Sequence, residues 1–278
     1  MKFLIVGGTG TLGKELIRRF YDDHEIDVLS RDEFKQAALR KVYPKAGFIL
    51  GDIRDWVQMS PICYSQYDAV FHCAALKHVD IGESNVSQFV QTNYNGTVNL
   101  AKKCKGKSKL VFFSTDKAVL PINVYGMSKA LGERYIQSTD PEAVIFRWGN
   151  ILGSRGSILD FFAQRIQAGS TVPITDMRMT RFWLTINEAI DYVMKNWQKG
   201  ISRNPLIPPV KSASVVDVAK AIGAILGKPV KMKEIGIRPG EKLHETLKHD
   251  ANFSLSSDTC EKFEMDELIV KIRQVMKE

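Results

Sequence analysis

The first hundred residues alternate short apolar runs with amphipathic stretches, the pattern of parallel strands joined by crossover helices. Strands are expected at Lys2–Val6, Ile26–Leu29, Gly47–Leu50, Asp68–Cys73, Lys109–Ser114 and Ala143–Arg147. Between them, Leu12–Tyr21, Asp32–Lys41, Val86–Cys104 and Ile122–Ser138 carry helical spacing. The fold class this predicts is α/β, a Rossmann-like doubly wound parallel sheet whose ligand crevice lies beyond the carboxyl ends of the strands. After Arg147 the pattern loosens into short elements punctuated by Gly149, Gly153, Gly156, Pro173, Pro205, Pro208 and Pro209. Helices are expected there at Ser157–Ala168, Asn187–Lys199, Ser214–Leu226 and Asp266–Lys277. The division expected is residues 1–150 as a dinucleotide-binding domain and 151–278 as a smaller substrate-binding lobe, with interleaved boundaries.

Composition adds limits. A hydrophobic fraction of 44% and a charged fraction of 25% are those of a water-soluble globular protein, and no apolar run approaches the roughly 20 residues that span a bilayer. Met1-Lys2 leads straight into a strand, unlike a secretory leader, so the cytoplasm is the expected location and no membrane partner is expected. Cys63, Cys73, Cys104 and Cys260 are scattered without paired spacing, which predicts reduced thiols and no metal site. The net charge of +8 is distributed apart from short runs such as Lys102 to Lys107, which read as a solvated helix end. No nucleic acid is expected; a positive balance also suits small ligands that carry phosphates.

Candidate chemistry begins at the first turn. Gly7-Gly8-Thr9-Gly10-Thr11-Leu12-Gly13 lies between a strand and a helix and satisfies both GxGxxG and GxxGxxG spacing. Glycines there permit a tight turn and close approach of a pyrophosphate to a helix N-terminus. At the end of the second strand, where an acidic residue would hold the ribose of NAD, stand Ser30 and Arg31, a hydroxyl and a cation suited to a 2′-phosphate. They favour NADP over NAD, with Asp32 arguing the other way. Asp52, beside Ile53 after the third strand, suits either an adenine amino group or the cap of a following helix.

The densest chemistry lies in Ser114 to Lys129. An apolar strand ends in Ser114-Thr115-Asp116-Lys117, and Tyr125 and Lys129 follow at i and i+4 on one helical face. Tyr-x-x-x-Lys lets an ammonium lower the phenol pKa, so that tyrosinate removes a hydroxyl proton as hydride departs. An adjacent carboxylic acid and amine supply two further roles, an acid and a base for loss of water.

These motifs, with His72-Cys73-Ala74-Ala75 and Tyr125-Gly126-Met127-Ser128-Lys129, resemble the extended short-chain dehydrogenase/reductase family. More narrowly, the chain looks like the soluble, C5-inverting UDP-N-acetylglucosamine 4,6-dehydratases of the pseudaminic acid pathway type. That match rests on the blocks at residues 75–79, 114–118, 147–150, 153–157, 173–183 and 235–245. The resemblance implies a UDP-sugar substrate, bound NADP, and a homo-oligomer of at least two copies built on the helices at 86–104 and 122–138. It implies that Tyr125, Lys129 and Thr115 run the redox step and that Asp116 and Lys117 run the elimination. Cofactor contacts are implied at Gly7, Thr9, Gly10, Thr11, Leu12, Gly13, Ser30, Arg31, Asp52, Ile53, Ala74, Ala75, Lys77, Tyr125 and Lys129. Substrate contacts are implied at Lys77, His78, Asn150, Arg155, Thr175, Arg181, Arg238 and Glu241. The large membrane-bound relatives carry Met at the Tyr125 position, which sets this chain with the soluble group. Competing functions are a UDP-sugar 4-epimerase, a C5-retaining dehydratase, and a non-catalytic NADP-sensing protein.

Overall fold

The structure is a computed structural model and describes every residue except Arg155, Gly200 and Glu278. The chain divides into two compact units, one of residues 1–147 with 190–207, the other of 148–189 with 208–278.

The first unit is built on β1 (Lys2–Val6), α1 (Thr11–Phe20), β2 (Glu25–Ser30), α2 (Glu33–Val42), β3 (Gly47–Leu50) and β4 (Ala69–His72). Next come α3 (Val79–Ser84), α4 (Val86–Phe89), a π-helical stretch Val90–Asn95, and α5 (Gly96–Cys104). After them follow β5 (Lys109–Thr115), α6 (Val124–Thr139) and β6 (Val144–Trp148). The six strands form one sheet in the order β3-β2-β1-β4-β5-β6, with order reversing between β1 and β4. The β1–β2, β1–β4, β2–β3 and β4–β5 pairings are parallel, Phe3 lying opposite Ala69 and His72 opposite Phe112. Both faces are covered, which is why these strands read as nearly continuous apolar runs. Leu4, Val6, Val70, Leu110 and Phe112 share one buried cluster with Leu100 and Ile136. Phe3 and Phe71 lead a second, aromatic pile with Phe20 and Trp197, their ring centroids 4.7–5.8 Å apart.

The other elements are β7 (Asn150–Ile151), α7 (Ile158–Gln167), β8 (Val172–Ile174), β9 (Thr180–Leu184) and α8 (Ile186–Asn196). They continue with β10 (Lys211–Ser214), α9 (Val215–Leu226), β11 (Met232–Glu234), β12 (Thr246–His249), β13 (Ser254–Ser256) and α10 (Met265–Lys277). In the second unit, β9 pairs antiparallel with β10 and parallel with β7. Its core joins Phe162, Ile166, Trp183, Val218, Ile222, Leu268 and Ile272.

Two expectations are corrected. The helix expected over Val86–Cys104 is interrupted, because residues 90–95 take a π turn that brings polar Asn93 inward. Nor does a helix follow Asp52 for it to cap: its carboxylate takes the Arg54 backbone N–H at 2.9 Å and Arg54 Nε at 2.8 Å. Among the described residues no helix is long and apolar enough to cross a membrane, and no group of potential ligands gathers to hold a metal. The four cysteines are free thiols.

Candidate active site

The first turn closes tightly. Gly7 has φ +78° and donates to the Leu29 carbonyl at 2.7 Å, while Gly10 caps α1. A Cβ on Gly7 would lie 2.7 Å from the Ala74 backbone, and one on Gly13 would lie 2.4 Å from Gly8 Cα. The glycines thus let three backbone segments meet where a pyrophosphate would rest on the helix N-terminus, so the residues present fit a dinucleotide. Thr9 is buried, Thr11 and Leu12 are half-buried in the turn, and Ile53 is buried beneath the third strand's end.

Beyond β2, Ser30 is buried and its hydroxyl oxygen accepts from Gln36 Nε2 at 2.9 Å. Arg31 is exposed, its guanidinium 3.5 Å from Asp52 Oδ2. Asp32 turns away as the N-cap of α2, accepting from the Lys35 N–H at 2.9 Å. The Asp52 carboxyl is held below the usual carboxylate range: burial raises it, but Arg54 and Arg31 outweigh that.

At the end of β5 the chain enters a single 3₁₀ turn, Asp116–Ala118. Asp116 is fully buried, and its Oδ1 receives the Thr115 hydroxyl at 2.9 Å and Lys117 Nζ at 3.1 Å. Thr115 Oγ1 also accepts the Lys117 N–H at 3.3 Å, so one hydroxyl fixes both members of the pair.

The next helix begins where Asn123 Oδ1 accepts from the Gly126 N–H at 2.7 Å and Glu83 Oε1 accepts from the Val124 N–H at 2.9 Å. Tyr125 sits half-buried in its first turn and Lys129 is buried one turn on. Lys129 Nζ lies 3.8 Å from the Phe112 ring centroid. Burial pushes this amine down to about 7, opposed by the nearby Glu133 carboxylate. Glu133 itself is held by Arg147 at 2.5 and 3.1 Å.

Sequence reasoning missed the residues that brace this helix. Asn93 Oδ1 accepts from Leu76 N–H and its Nδ2 donates to Leu76 C=O, both at 2.8 Å, while Nδ2 also reaches Ser128 Oγ at 3.0 Å. Ser128 in turn donates to the Tyr125 carbonyl at 2.8 Å. The loop carrying Ala74, Ala75 and Lys77 is thereby tied to the Tyr125 helix. Thr97 donates its hydroxyl to the Asn93 carbonyl at 2.6 Å, so it must accept from His72, which fixes the buried imidazole in its Nε2–H form at 2.9 Å. Burial, and secondarily Lys129, hold His72 well below its usual pKa.

Lys77 and His78 are exposed just before α3. In the second unit, Arg181 is buried on β9 and donates to the carbonyls of Thr180, Leu243 and Lys242 at 2.7, 3.1 and 2.8 Å. Its guanidinium faces the buried Glu245, 3.9 Å away. Arg238 is exposed in a turn where Pro239 precedes Gly240 at φ +78°, and the Arg238 N–H reaches Glu241 Oε2 at 3.3 Å. Asn150 and Thr175 are half-buried. Arg155 lies outside the described residues.

A doubly wound sheet with a Gly-rich first turn and a Tyr-x-x-x-Lys helix beside its fifth strand is the architecture of an extended short-chain dehydrogenase/reductase. Comparison with known proteins narrows the class. The polysaccharide biosynthesis protein family matches residues 3–266, and the chain belongs to that family. It is 36% identical over 259 residues to an inverting UDP-N-acetylglucosamine 4,6-dehydratase of Campylobacter jejuni, covering 88% of this chain and 76% of that one. It is 34% identical over 272 residues to a UDP-glucose 4-epimerase of Rickettsia canadensis, covering 92% and 80%. Among solved structures, Pen from Bacillus thuringiensis superposes with a TM-score of 0.87 at 28% identity, covering 99% of this chain and 97% of that one.

Proposed function

We propose that this chain is an NADP-dependent UDP-N-acetylglucosamine 4,6-dehydratase that inverts C5, a hydro-lyase working in the cytoplasm as at least a dimer. The observation that carries the reading is the Asp116–Lys117 pair, 3.1 Å apart in a buried turn directly before the Tyr125 helix. An epimerase needs to move only one hydride and one hydroxyl proton. Loss of water needs an additional acid and base, and this pair supplies both.

The Gly7–Gly13 turn, Ser30, Arg31, Asp52, Ile53, Ala74, Ala75, Lys77, Tyr125 and Lys129 would hold the dinucleotide, whose nicotinamide accepts hydride from C4 of the sugar and returns it to C6. Tyr125 takes the C4 hydroxyl proton, steadied by Lys129 and Thr115. Lys117 removes the C5 proton that the new C4 ketone has made acidic. Asp116 protonates the departing C6 oxygen, which leaves as water. Lys117 then delivers a proton to the opposite face of C5. Tyr125 ends one proton up and Asp116 one proton down, so a single transfer between them resets the site. Asn150, Thr175, Arg181, Arg238 and Glu241 are proposed for the nucleotide and sugar; because Arg181 is engaged by three carbonyls, its part is to shape the 242–245 loop.

The test is NMR of UDP-N-acetylglucosamine incubated with the protein in heavy water. A 4-keto-6-deoxy product carrying deuterium at an inverted C5 is expected. Formation of UDP-N-acetylgalactosamine instead would replace the proposal with the epimerase reading, which the Rickettsia relative supports.

A further inference from the structure

We infer that Gly126 is a positioning residue that sets the spacing between the elimination pair Asp116–Lys117 and the redox pair Tyr125–Lys129. The inference rests on the dehydratase reading.

Between the two pairs the chain has little freedom. A Cβ at Gly126 would lie 2.1 Å from the Lys117 carbonyl oxygen and 2.9 Å from its carbon. These are backbone atoms, which cannot swing aside as the tip of a side chain would. Retreat of the helix is opposed from its own side. The Gly126 N–H is bound to Asn123, Ser128 is bound to Asn93, and a Cβ on Gly132 would meet Phe112 at 3.3 Å. The turn is also held, since Val119 N–H donates to the Asp116 carbonyl at 3.0 Å.

The connecting residues carry strain that fits this picture. Leu120 has φ +46° and is the one non-glycine at positive φ among the described residues. Its side chain is exposed and Pro121 follows, so no burial of that side chain accounts for the conformation. Such strain persists where the surroundings over-determine the backbone. Here the surroundings are the Lys117 carbonyl pressed against the first turn of α6 on one side and the Asn123 cap on the other. The 117–126 segment therefore acts as a taut spacer of fixed length.

The consequence concerns timing. The C5 proton is acidic only while C4 is a ketone, so elimination must overtake return of hydride to C4. Moving Lys117 by roughly the distance needed to admit a methyl, about 1 Å, should cost elimination on the order of 100-fold. Oxidation at C4 should be spared, because Tyr125 and Lys129 stay anchored to Asn93 and Phe112.

The experiment uses Gly126→Ala holoenzyme mixed with UDP-N-acetylglucosamine, following the near-ultraviolet absorbance of reduced nicotinamide together with NMR of the sugar. Expected is a build-up of reduced nicotinamide within the first turnover and formation of 6-deoxy product slowed about 100-fold. Equal slowing of both steps, or no slowing, overturns the inference. Because Gly126→Ala is open to misfolding, the double variant Leu120→Gly, Pro121→Ala serves beside it. It slackens the spacer at exposed or half-exposed positions, and should give the same build-up with about tenfold slower elimination. Lack of build-up in this variant also overturns the inference. Wild-type protein that makes no 6-deoxy sugar sinks the dehydratase reading instead, so the two failures are distinguishable.

Discussion

Two buried cations, Lys129 on α6 and Arg181 on β9, are held in opposite ways. Arg181 donates to three carbonyls and faces a buried carboxylate. Lys129 rests on an aromatic face, and among the described residues its Nζ has no hydrogen-bonding partner. The Glu133 carboxylate, whose charge acts on Lys129, is engaged by Arg147. A saturated guanidinium keeps its charge at any accessible pH and works as a fastener. An unsaturated ammonium has its pKa drawn toward neutrality and is available to a reaction. The comparison teaches that burial alone does not leave a charge open to chemistry; what matters is whether the surrounding dipoles have already satisfied it.

The contrast can be attacked from several sides. The largest effect should come from Lys117→Ala, which removes the proposed base: turnover should fall about 10²–10⁴-fold. A loss smaller than tenfold would remove Lys117 from the chemistry. At the opposite pole, Arg181→Met should mainly cost stability, about 3–5 kcal/mol in denaturant unfolding, because three carbonyls lose their donor and the buried Glu245 loses one of its two neighbouring cations. If Arg181→Met instead unfolds like wild type, the guanidinium is no fastener.

Next comes a pH effect with a defined sign. Lys129 falls from its ordinary 10.5 to about 7 in the folded chain. Between those values the unfolded chain binds the extra proton, so stability should rise with pH from about 7 to about 10.5, and the full penalty applies below 7. In cofactor-free protein, Lys129→Met should flatten this rise, as read from unfolding midpoints across that range. An unchanged slope would mean that Lys129 is not the group responsible. The smallest effect expected is at Arg31, exposed and only 3.5 Å from Asp52. Arg31→Ala should weaken NADP relative to NAD by about three- to tenfold in binding titrations, as befits a solvated ion pair. Equal affinities before and after would remove Arg31 from cofactor choice.

Much of the first unit was legible because its central strands are buried on both faces, the edge strand β3 being only half-buried. The runs expected at Lys2–Val6 and Gly47–Leu50 match the observed strands at both ends; of the other four, the one at Lys109 shifts by one residue at one end and three shift by one residue at both ends. Apolar continuity bounded by turn residues carries that information locally. Strands β7 to β13 were not anticipated, since two- to five-residue strands carry too few alternations to register as a period. The short helix α3 escaped for the same reason.

Within the candidate site, Asp116, Lys117, Tyr125 and Lys129 were readable because they are adjacent or one helical turn apart. Asn93 was not, because its partners Leu76 and Ser128 lie 17 and 35 residues away. Nor could spacing tell that Arg181 would find carbonyls some sixty residues on, at Lys242 and Leu243. The role of Asp32 was visible in principle as a helix cap, yet its place beside Ser30 and Arg31 drew it toward the cofactor question.

The π turn at Val90–Asn95 constrains the chain in a further respect. Each residue of a regular helix advances the face by about 100°. Deleting any one residue from this stretch would allow the wider turn to tighten into ordinary helix, and Asn93 would swing off the Leu76 backbone. The side chains on the outer surface of the stretch, Gln91 and Asn95, can be exchanged without touching this arrangement. Its residue count cannot change, so the helix is a ruler on which letters can be rewritten but no mark erased.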